Sequence, residues 1–223
     1  MNNTEFFNKC FEKHNFNELN NIDINMLYNV MLYHFKLFPN SSQSTYFDIG
    51  CNSGSFIKVL QHFKIYNVHC FEPHPVLSET TKQKYNYITL NNYCLSNYNG
   101  NIDIHFPLHS VGLSSCIQRP IFSTLGTEVR ALNVKCEKLD TYCKKNNINQ
   151  IDFIKIDVEG AEKMVIEGAS NLLKEKKIKG GLFEIGETLK DAGTTEQEIA
   201  TILEGYGYNI VKNLCRNDWY FHL

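Results

Sequence analysis

IDFIKIDVEGAE, residues 151–162, decides the fold and points to the chemistry. A central parallel strand is covered on both faces and is expected to be apolar throughout. This one contains Lys155, ends with Asp157 and is followed by Glu159. Residues two apart on a strand share a face, so Lys155 and Asp157 point the same way. A buried lysine beside a carboxylate is costly unless the two are paired. Asp157 and Glu159 stand at the carboxyl end of the strand, where ligands of open α/β sheets bind. Gly160 then allows a tight turn into a helix predicted over AEKMVIEGASNLLKEK, residues 161–176.

On either side of this stretch, strand and helix patterns alternate. TYFDIG (45–50), YNVHCFE (66–72), YITLNNY (87–93) and GLFEIG (181–186) have strand character. SFIKVLQHF (55–63), PVLSETTKQKY (75–85) and TEQEIATILEGY (195–206) have helical period, the last with a capping Thr195 and Glu198. NIDIHF (101–106) reads as an extra strand, 107–130 as loop, and LNVKCEKL as the lead into a helix ending near Asn146. YNIVKNL (208–214) and DWYFHL (218–223) read as a closing hairpin. Alternating elements predict an α/β fold with a mainly parallel sheet, which a terminal hairpin makes mixed. Residues 1–40 read as a helical extension, with Phe6, Phe7, Cys10 and Phe11, then Met26, Leu27, Val30, Met31 and Phe35, at helical spacing. Pro39 ends it, so the predicted organisation is a helical lid or brace over 1–40 on a domain spanning 41–223.

Composition excludes several classes. The chain has 223 residues, 43% hydrophobic and 21% charged, an ordinary globular balance. No apolar run approaches the roughly 18–20 residues of a membrane-spanning helix, and the polar, charge-broken N-terminus does not read as a secretory signal. A net charge of -2 disfavours nucleic acid or an anionic membrane as partner. The eight cysteines form no C-x-x-C pair, which argues against a zinc ribbon and for reduced thiols in a cytoplasmic protein. Asn, Lys, Ile, Tyr and Phe abound, and lysine supplies 19 of the 22 basic residues. Their codons are AT-rich, which suggests an AT-rich source such as a large DNA virus or an AT-rich microbe, with the host cytoplasm as the setting if the source is viral. A GC-rich gene would refute that.

FDIGCNSGSF (47–56) sets Asp48, Gly50 and Gly54 at a strand-to-helix turn. Glycines there let backbone approach a ligand and leave helix N–H groups free for an anionic group. Glu72 ends the next strand, about 20 residues on, where an acid can accept both hydroxyls of a ribose. The pattern is neither G-x-G-x-x-G nor G-x-x-x-x-G-K-[ST], which argues against a nicotinamide dinucleotide and an ATP-type loop. Asp48 would repel a pyrophosphate but suits a cationic or amino-bearing ligand. S-adenosylmethionine (SAM) carries a ribose, a carboxylate, an ammonium and a sulfonium.

FDIGCNSGSF, FEPHP (71–75), the Leu-Asp of EKLD (137–140), and IDFIKIDVEGAE followed by EGA (167–169) together resemble the FkbM family of SAM-dependent methyltransferases. The resemblance runs from about residue 45 to 190. It implies a class I methyltransferase fold, Rossmann-like, with a seven-stranded sheet whose last strand is antiparallel. It also implies methyl transfer to hydroxyl oxygens of small molecules and sugars. Carried over residue by residue, it places Asp48, Gly50, Asn52 and Gly54, with Ser55 and Phe56 beside them, at the methionine end. Glu72 holds the ribose, Pro73 and His74 flank the adenine, and Asn92, Cys94 and Leu95 border it. Alanine often stands in the family where this chain has Cys94. The loop 107–130 lies outside the match and is where substrate choice is expected.

Methyl transfer to oxygen needs alignment and a base within hydrogen-bond reach of the hydroxyl. Asp157 is the first candidate and Glu159 the second. Lys155 orients a carboxylate or stabilises the forming alkoxide, Glu184 ends the neighbouring strand, and His105 and His109 are outside candidates. Asp157, Glu159 and Glu184 could also hold Mg²⁺ through oxygen ligands. The expected partner is a small sugar-containing acceptor, with a homodimer left open. Two rivals stand: an RNA ribose 2′-O-methyltransferase, which Lys155 and Glu184 make conceivable, and a catalytically inactive SAM-fold binding module.

Overall fold

The computed structural model describes residues 22–39, 44–215 and 218–223. The expected helix around Phe6, Phe7, Cys10 and Phe11 lies outside the described residues. The chain runs α1 (Ile22–Leu37), β1 (Tyr46–Ile49), α2 (Ser55–His62), β2 (Val68–Phe71), α3 (Pro75–Lys84), β3 (Thr89–Asn91), β4 (Cys94–Leu95) and β5 (Gly100–Pro107). It continues through two short 3₁₀ turns to β6 (Val129–Glu137), α4 (Leu139–Lys145), β7 (Phe153–Ile156), α5 (Glu162–Glu167), α6 (Ser170–Lys174) and β8 (Gly180–Glu184). It closes with α7 (Glu187–Asp191), α8 (Glu196–Gly205), β9 (Asn209–Cys215) and β10 (Asp218–His222).

Seven strands form the main sheet in the order β3-β2-β1-β7-β8-β10-β9. Only β10 runs antiparallel to its neighbours. This is the class I methyltransferase topology that the resemblance implies. The chain leaves β1 toward β3 and later returns to pair β7 against β1, so the crevice opens at the carboxyl ends of those two strands. Side-chain alternation divides the core. Tyr46, Phe153, Leu182 and Tyr220 face one layer with α1 and α2. Phe47, Ile154, Phe183 and Phe221 face the other, with α4, α5, α6 and α8.

The helix α1 is part of the first layer. Val30 and Met31 are fully buried, Tyr28 stacks on Phe63, and Tyr220 Oη lies 3.0 Å from Nδ1 of the buried His34. Burial pushes the His34 imidazole down to about 3, so it packs as a neutral ring.

One sequence expectation needs correction, and two others gain a placement. LNVKCEKL does lead into α4, whose C-cap is Asn146, and LNVKCE is itself the end of strand β6, which pairs antiparallel with β5 from Gly100↔Cys136 to Pro107↔Val129. NIDIHF forms the extra strand, in a second, three-stranded sheet ordered β4-β6-β5. The helix expected over 161–176 is two helices broken at Gly168 and Ala169. A Cβ on Gly168 would lie 2.1 Å from the backbone oxygen of Ser96. The carbonyl of Gly168 also leaves the helix to accept from the N–H of Asp140. A tertiary contact therefore overrides a continuous helical pattern.

Candidate active site

The turn after β1 is built on left-handed residues: Gly50 at φ 80°, Asn52 at φ 45° and Gly54 at φ 86°. The N–H groups of Gly50 and Cys51 both donate to the carbonyl of Phe71, which ties the turn to the end of β2. There Glu72 accepts from the Asn52 N–H through Oε2 and from the His74 N–H through Oε1, each at 2.9 Å. Burial pushes its carboxyl up to about 7 against the pull of those two N–H groups. Asn92 donates to the carbonyls of Glu72 and Pro73, and His74 caps α3 by accepting from the Leu77 N–H.

Two cavities meet at this turn. The first is lined by Gly50, Asn52, Glu72, Pro73, Cys94 and Leu95, together with Ile49, Phe71, Leu77, Asp157 and Glu159. The second is lined by Asp48, Ser55, Phe56, Lys155, Asp157, Glu184 and Asp218, with Met26 and Leu27 of α1 as an apolar wall. Gly50, Asn52 and Asp157 belong to both. Of the residues expected to contact cofactor, Gly54, His74 and Asn92 line neither cavity, and each instead fastens the turn or the start of α3. His105 and His109 also line neither.

The strand register explains the second cavity. Asp48 lies beside Lys155, Lys155 beside Leu182, and Glu184 beside Asp218. Asp48, Lys155, Asp157, Glu184 and Asp218 thus share the sheet face that α1 and α2 cover. The Lys155 ammonium is 2.8 Å from Asp157 Oδ2 and 3.7 Å from Asp48 Oδ1. Burial works against its charge, but Asp157 and Asp48 outweigh that and hold it well above the ordinary lysine range. Asp48 is completely buried, and neither of its oxygens receives a hydrogen bond. Burial pushes its carboxyl up to about 6 although Lys155 pulls the other way. Burial first, then the charges of Asp157, Glu159, Glu162 and Asp218, push Glu184 up to about 9.

Glu159 is placed differently from its neighbour. It sits at φ 56° and is held by Arg119, whose Nη1 donates to Glu159 Oε2 at 2.7 Å and whose Nε donates to Asp191 Oδ2 at 3.3 Å. Ser115 Oγ donates to the Glu159 carbonyl at 2.6 Å. The loop expected to choose the substrate therefore straps across the first cavity, where Val111, Gly112 and Ser114 to Cys116 form one wall. Arg119 and Ser115 escaped sequence reasoning. One signal was available for the former: arginine is rare in this lysine-rich chain, and its planar fork can pair with two carboxylates at once. Glu162 was missed too. It is fully buried and accepts from the N–H groups of Val158 and Gly160, which fixes the turn carrying Asp157 and Glu159.

Carboxylate oxygens of Asp157, Glu159 and Glu184 lie within 4.8 Å of one another. Two of the three already hold cationic partners, Lys155 and Arg119. Those cations already offset the charge of two of the three acids, so the donor set offers a divalent ion less charge than three free carboxylates would.

These acids set a pH dependence of stability. Glu72 and Glu162 are pushed up to about 7 from an ordinary 4.5, chiefly by burial. A raised folded-state pKa means that the native state holds its proton more tightly. The stability from each is complete below 4.5 and is lost as pH rises through 7, at no more than about 1.4 kcal/mol per pH unit. His34 acts in the opposite sense, but only below its ordinary 6.5. The melting temperature is expected to fall between pH 6.5 and 9, across the range where Glu72, Glu162 and Glu184 lose protons. Calorimetric melts across that range check this, and a rising melting temperature would refute it.

Residues 48–210 match the model of the methyltransferase FkbM domain. The 2-O-methyltransferase NoeI of Sinorhizobium fredii (strain NBRC 101917 / NGR234) is 32% identical over 140 residues, which cover 56% of this chain and 57% of NoeI. The chain thus spans little more than half the length of that relative. Among solved structures, magnesium protoporphyrin IX methyltransferase (ChlM) from Synechocystis PCC 6803 with bound SAM superposes with a TM-score of 0.47 at 13% identity, over 98% of this chain and 90% of ChlM. A SAM-dependent methyltransferase from Aquifex aeolicus gives a TM-score of 0.47 at 10% identity, over 100% of this chain and 97% of that one. With the FkbM model matching most of its length, the chain belongs to the FkbM methyltransferase-domain family.

Proposed function

We propose that the protein transfers a methyl group from SAM to a hydroxyl of a small sugar-containing molecule. The observation that carries this reading is the meeting of two cavities at Gly50, Asn52 and Asp157. The first cavity suits a nucleoside. Ile49, Phe71, Pro73 and Leu77 offer apolar walls for a base, and the Glu72 carboxyl keeps lone pairs for ribose hydroxyls. The second cavity brings Asp48 and Asp157 together beside the methionine end, and acids there suit an ammonium group. SAM supplies the electrophilic methyl on its sulfonium.

The chain's own residues do the rest. Asp157, 37% exposed, stands where the cavities join and is the group placed to take the hydroxyl proton. Lys155 holds one Asp157 oxygen at 2.8 Å and leaves the other for the acceptor. Glu159 is engaged by Arg119 and holds the strap over the first cavity, so it is a positioning residue. The name of NoeI as a 2-O-methyltransferase supports oxygen as the acceptor atom. No metal step is needed, and EDTA is expected to leave turnover unchanged.

Calorimetric titration with SAM and S-adenosylhomocysteine, with NAD as control, tests the cofactor. Binding of both SAM-type ligands in the micromolar range and none of NAD is expected. No binding of either would leave the inactive binding module as the better reading. The RNA reading predicts salt-dependent RNA binding, which the acidic second cavity opposes.

A further inference from the structure

The loop between β5 and β6 is built as an arm with a fixed base. There the Leu108 N–H donates to the Glu128 carbonyl at 3.0 Å, and Ser115 pairs back onto β5 through two backbone bonds with His105. Beyond that base, among the described residues, three hydrogen bonds fasten the strap to the main domain. Ser115 Oγ donates to the Glu159 carbonyl. Arg119 makes the other two, to Glu159 Oε2 and Asp191 Oδ2. Glu159 belongs to the turn after β7, and Asp191 is the last residue of α7. One guanidinium thus clips the arm to two separate elements of the α/β domain. A planar fork can reach both, where the ammonium of a lysine is a single point of charge.

What the clip holds down is the nucleoside cavity, given the methyltransferase reading above. Val111, Gly112 and Ser114 to Cys116 of the strap line that cavity together with Glu72 and Cys94. A Cβ on Gly112 would lie 3.1 Å from Asn52 Nδ2, so the arm reaches the turn that follows β1. Neither Arg119 nor Asp191 lines either cavity, so the clip acts on a bound cofactor only through the strap. The Arg119 side chain is 7% exposed, and its guanidinium lies 5.9 Å from the centre of the buried Phe122 ring. Hydrogen bonds between ionised groups are stronger than neutral ones, and opening the arm breaks two of them.

We infer that Arg119 is the latch of a cofactor lid. The strap must swing away for SAM to enter and for S-adenosylhomocysteine to leave, and the pairs of Arg119 with Glu159 and Asp191 set how often it does. Arg119 is a positioning residue, because it acts through the strap and touches no reacting atom. A lid that is mostly shut slows entry in proportion to its open fraction, and it also retains what is bound. Breaking the latch therefore speeds both entry and release. Loss of a residue that only shapes the cavity would speed release alone. The two roles leave different kinetic signatures.

Surface plasmon resonance, with the full chain immobilised and S-adenosylhomocysteine flowing over it, reads both rates. Arg119→Met keeps the length of the side chain and its packing on Phe122 but loses the charge. It is expected to speed release about tenfold or more and association about threefold or more, the scale of two lost charge-assisted hydrogen bonds. Asp191→Asn leaves the Glu159 pair intact and is expected to raise both rates by less. Arg119→Lys is expected to fall between Arg119→Met and the parent chain, since its ammonium can serve one carboxylate. Circular-dichroism melts check that each variant is folded, and Asp191→Asn carries the test if Arg119→Met is not. Rates unchanged in every folded variant would overturn the latch. Faster release with association unchanged or slower would overturn it too and make Arg119 a shaper of the cavity. No binding of S-adenosylhomocysteine to the parent chain would instead overturn the SAM reading on which the latch rests.

Discussion

Asp157→Asn is expected to lower kcat by roughly 10²–10⁴-fold, the usual contribution of a positioned general base, while SAM binds as in the parent protein. The asparagine keeps the shape and can still accept from Lys155, which stands 2.8 Å from Oδ2. What it loses is the ability to take a proton. The backbone of residue 157 stays in place, because its N–H donates to the Ile49 carbonyl. Single-turnover methyl transfer measured beside calorimetric SAM binding separates the two roles. Loss of binding together with rate would make Asp157 a cofactor ligand. An unchanged rate would remove it from the chemistry and bring Glu184, on the next strand, forward as the base.

Gly50→Ala is expected to be the most damaging single methyl group in the chain. Its Cβ would lie 1.8 Å from the Asp157 carbonyl oxygen and 2.9 Å from its carbonyl carbon. At φ 80° the position is also in the left-handed region, which costs an L-residue roughly 1–2 kcal/mol before any clash. The obstruction is backbone, not the end of a flexible side chain, so relief requires β1 and β7 to separate at the crevice. A loss of about 3 kcal/mol or more in stability is expected, with SAM binding abolished. Gly193→Ala is the control. It has φ 69° with nothing within 4 Å of the added Cβ, so it carries the backbone cost alone. Denaturant melts of the two variants check this, and equal losses would show that the close approach to Asp157 is unimportant.

The same close approach shows what was legible in the sequence. Local pattern reveals where strands end and where glycines permit a turn. Residues 47–56, 71–75 and 151–162 therefore announced a crevice with Asp48, Glu72 and Asp157 around it. They could not reveal that the two turns touch, since that depends on β1 pairing with β7 across more than a hundred residues. Cys94 and Leu95, placed by resemblance, line the first cavity, while His74 caps α3 and Asn92 donates to the Glu72 carbonyl.

By itself the sequence determined the α/β alternation, the terminal hairpin, and the carboxylates at the strand ends. Each is encoded locally, by a period of two or of 3.6 or by a residue type that one strand position demands. Tertiary structure alone decided three things. It broke the helix at Gly168, where the Ser96 backbone leaves no room for a side chain. It carried Arg119 across to Glu159 and Asp191, turning a loop into a strap. It set Asp48, Lys155, Asp157, Glu184 and Asp218 on one face under α1, which made separate acids into one cavity. Each of these depends on atoms far apart in the chain, and the spacing of residues along a sequence carries no record of such distances.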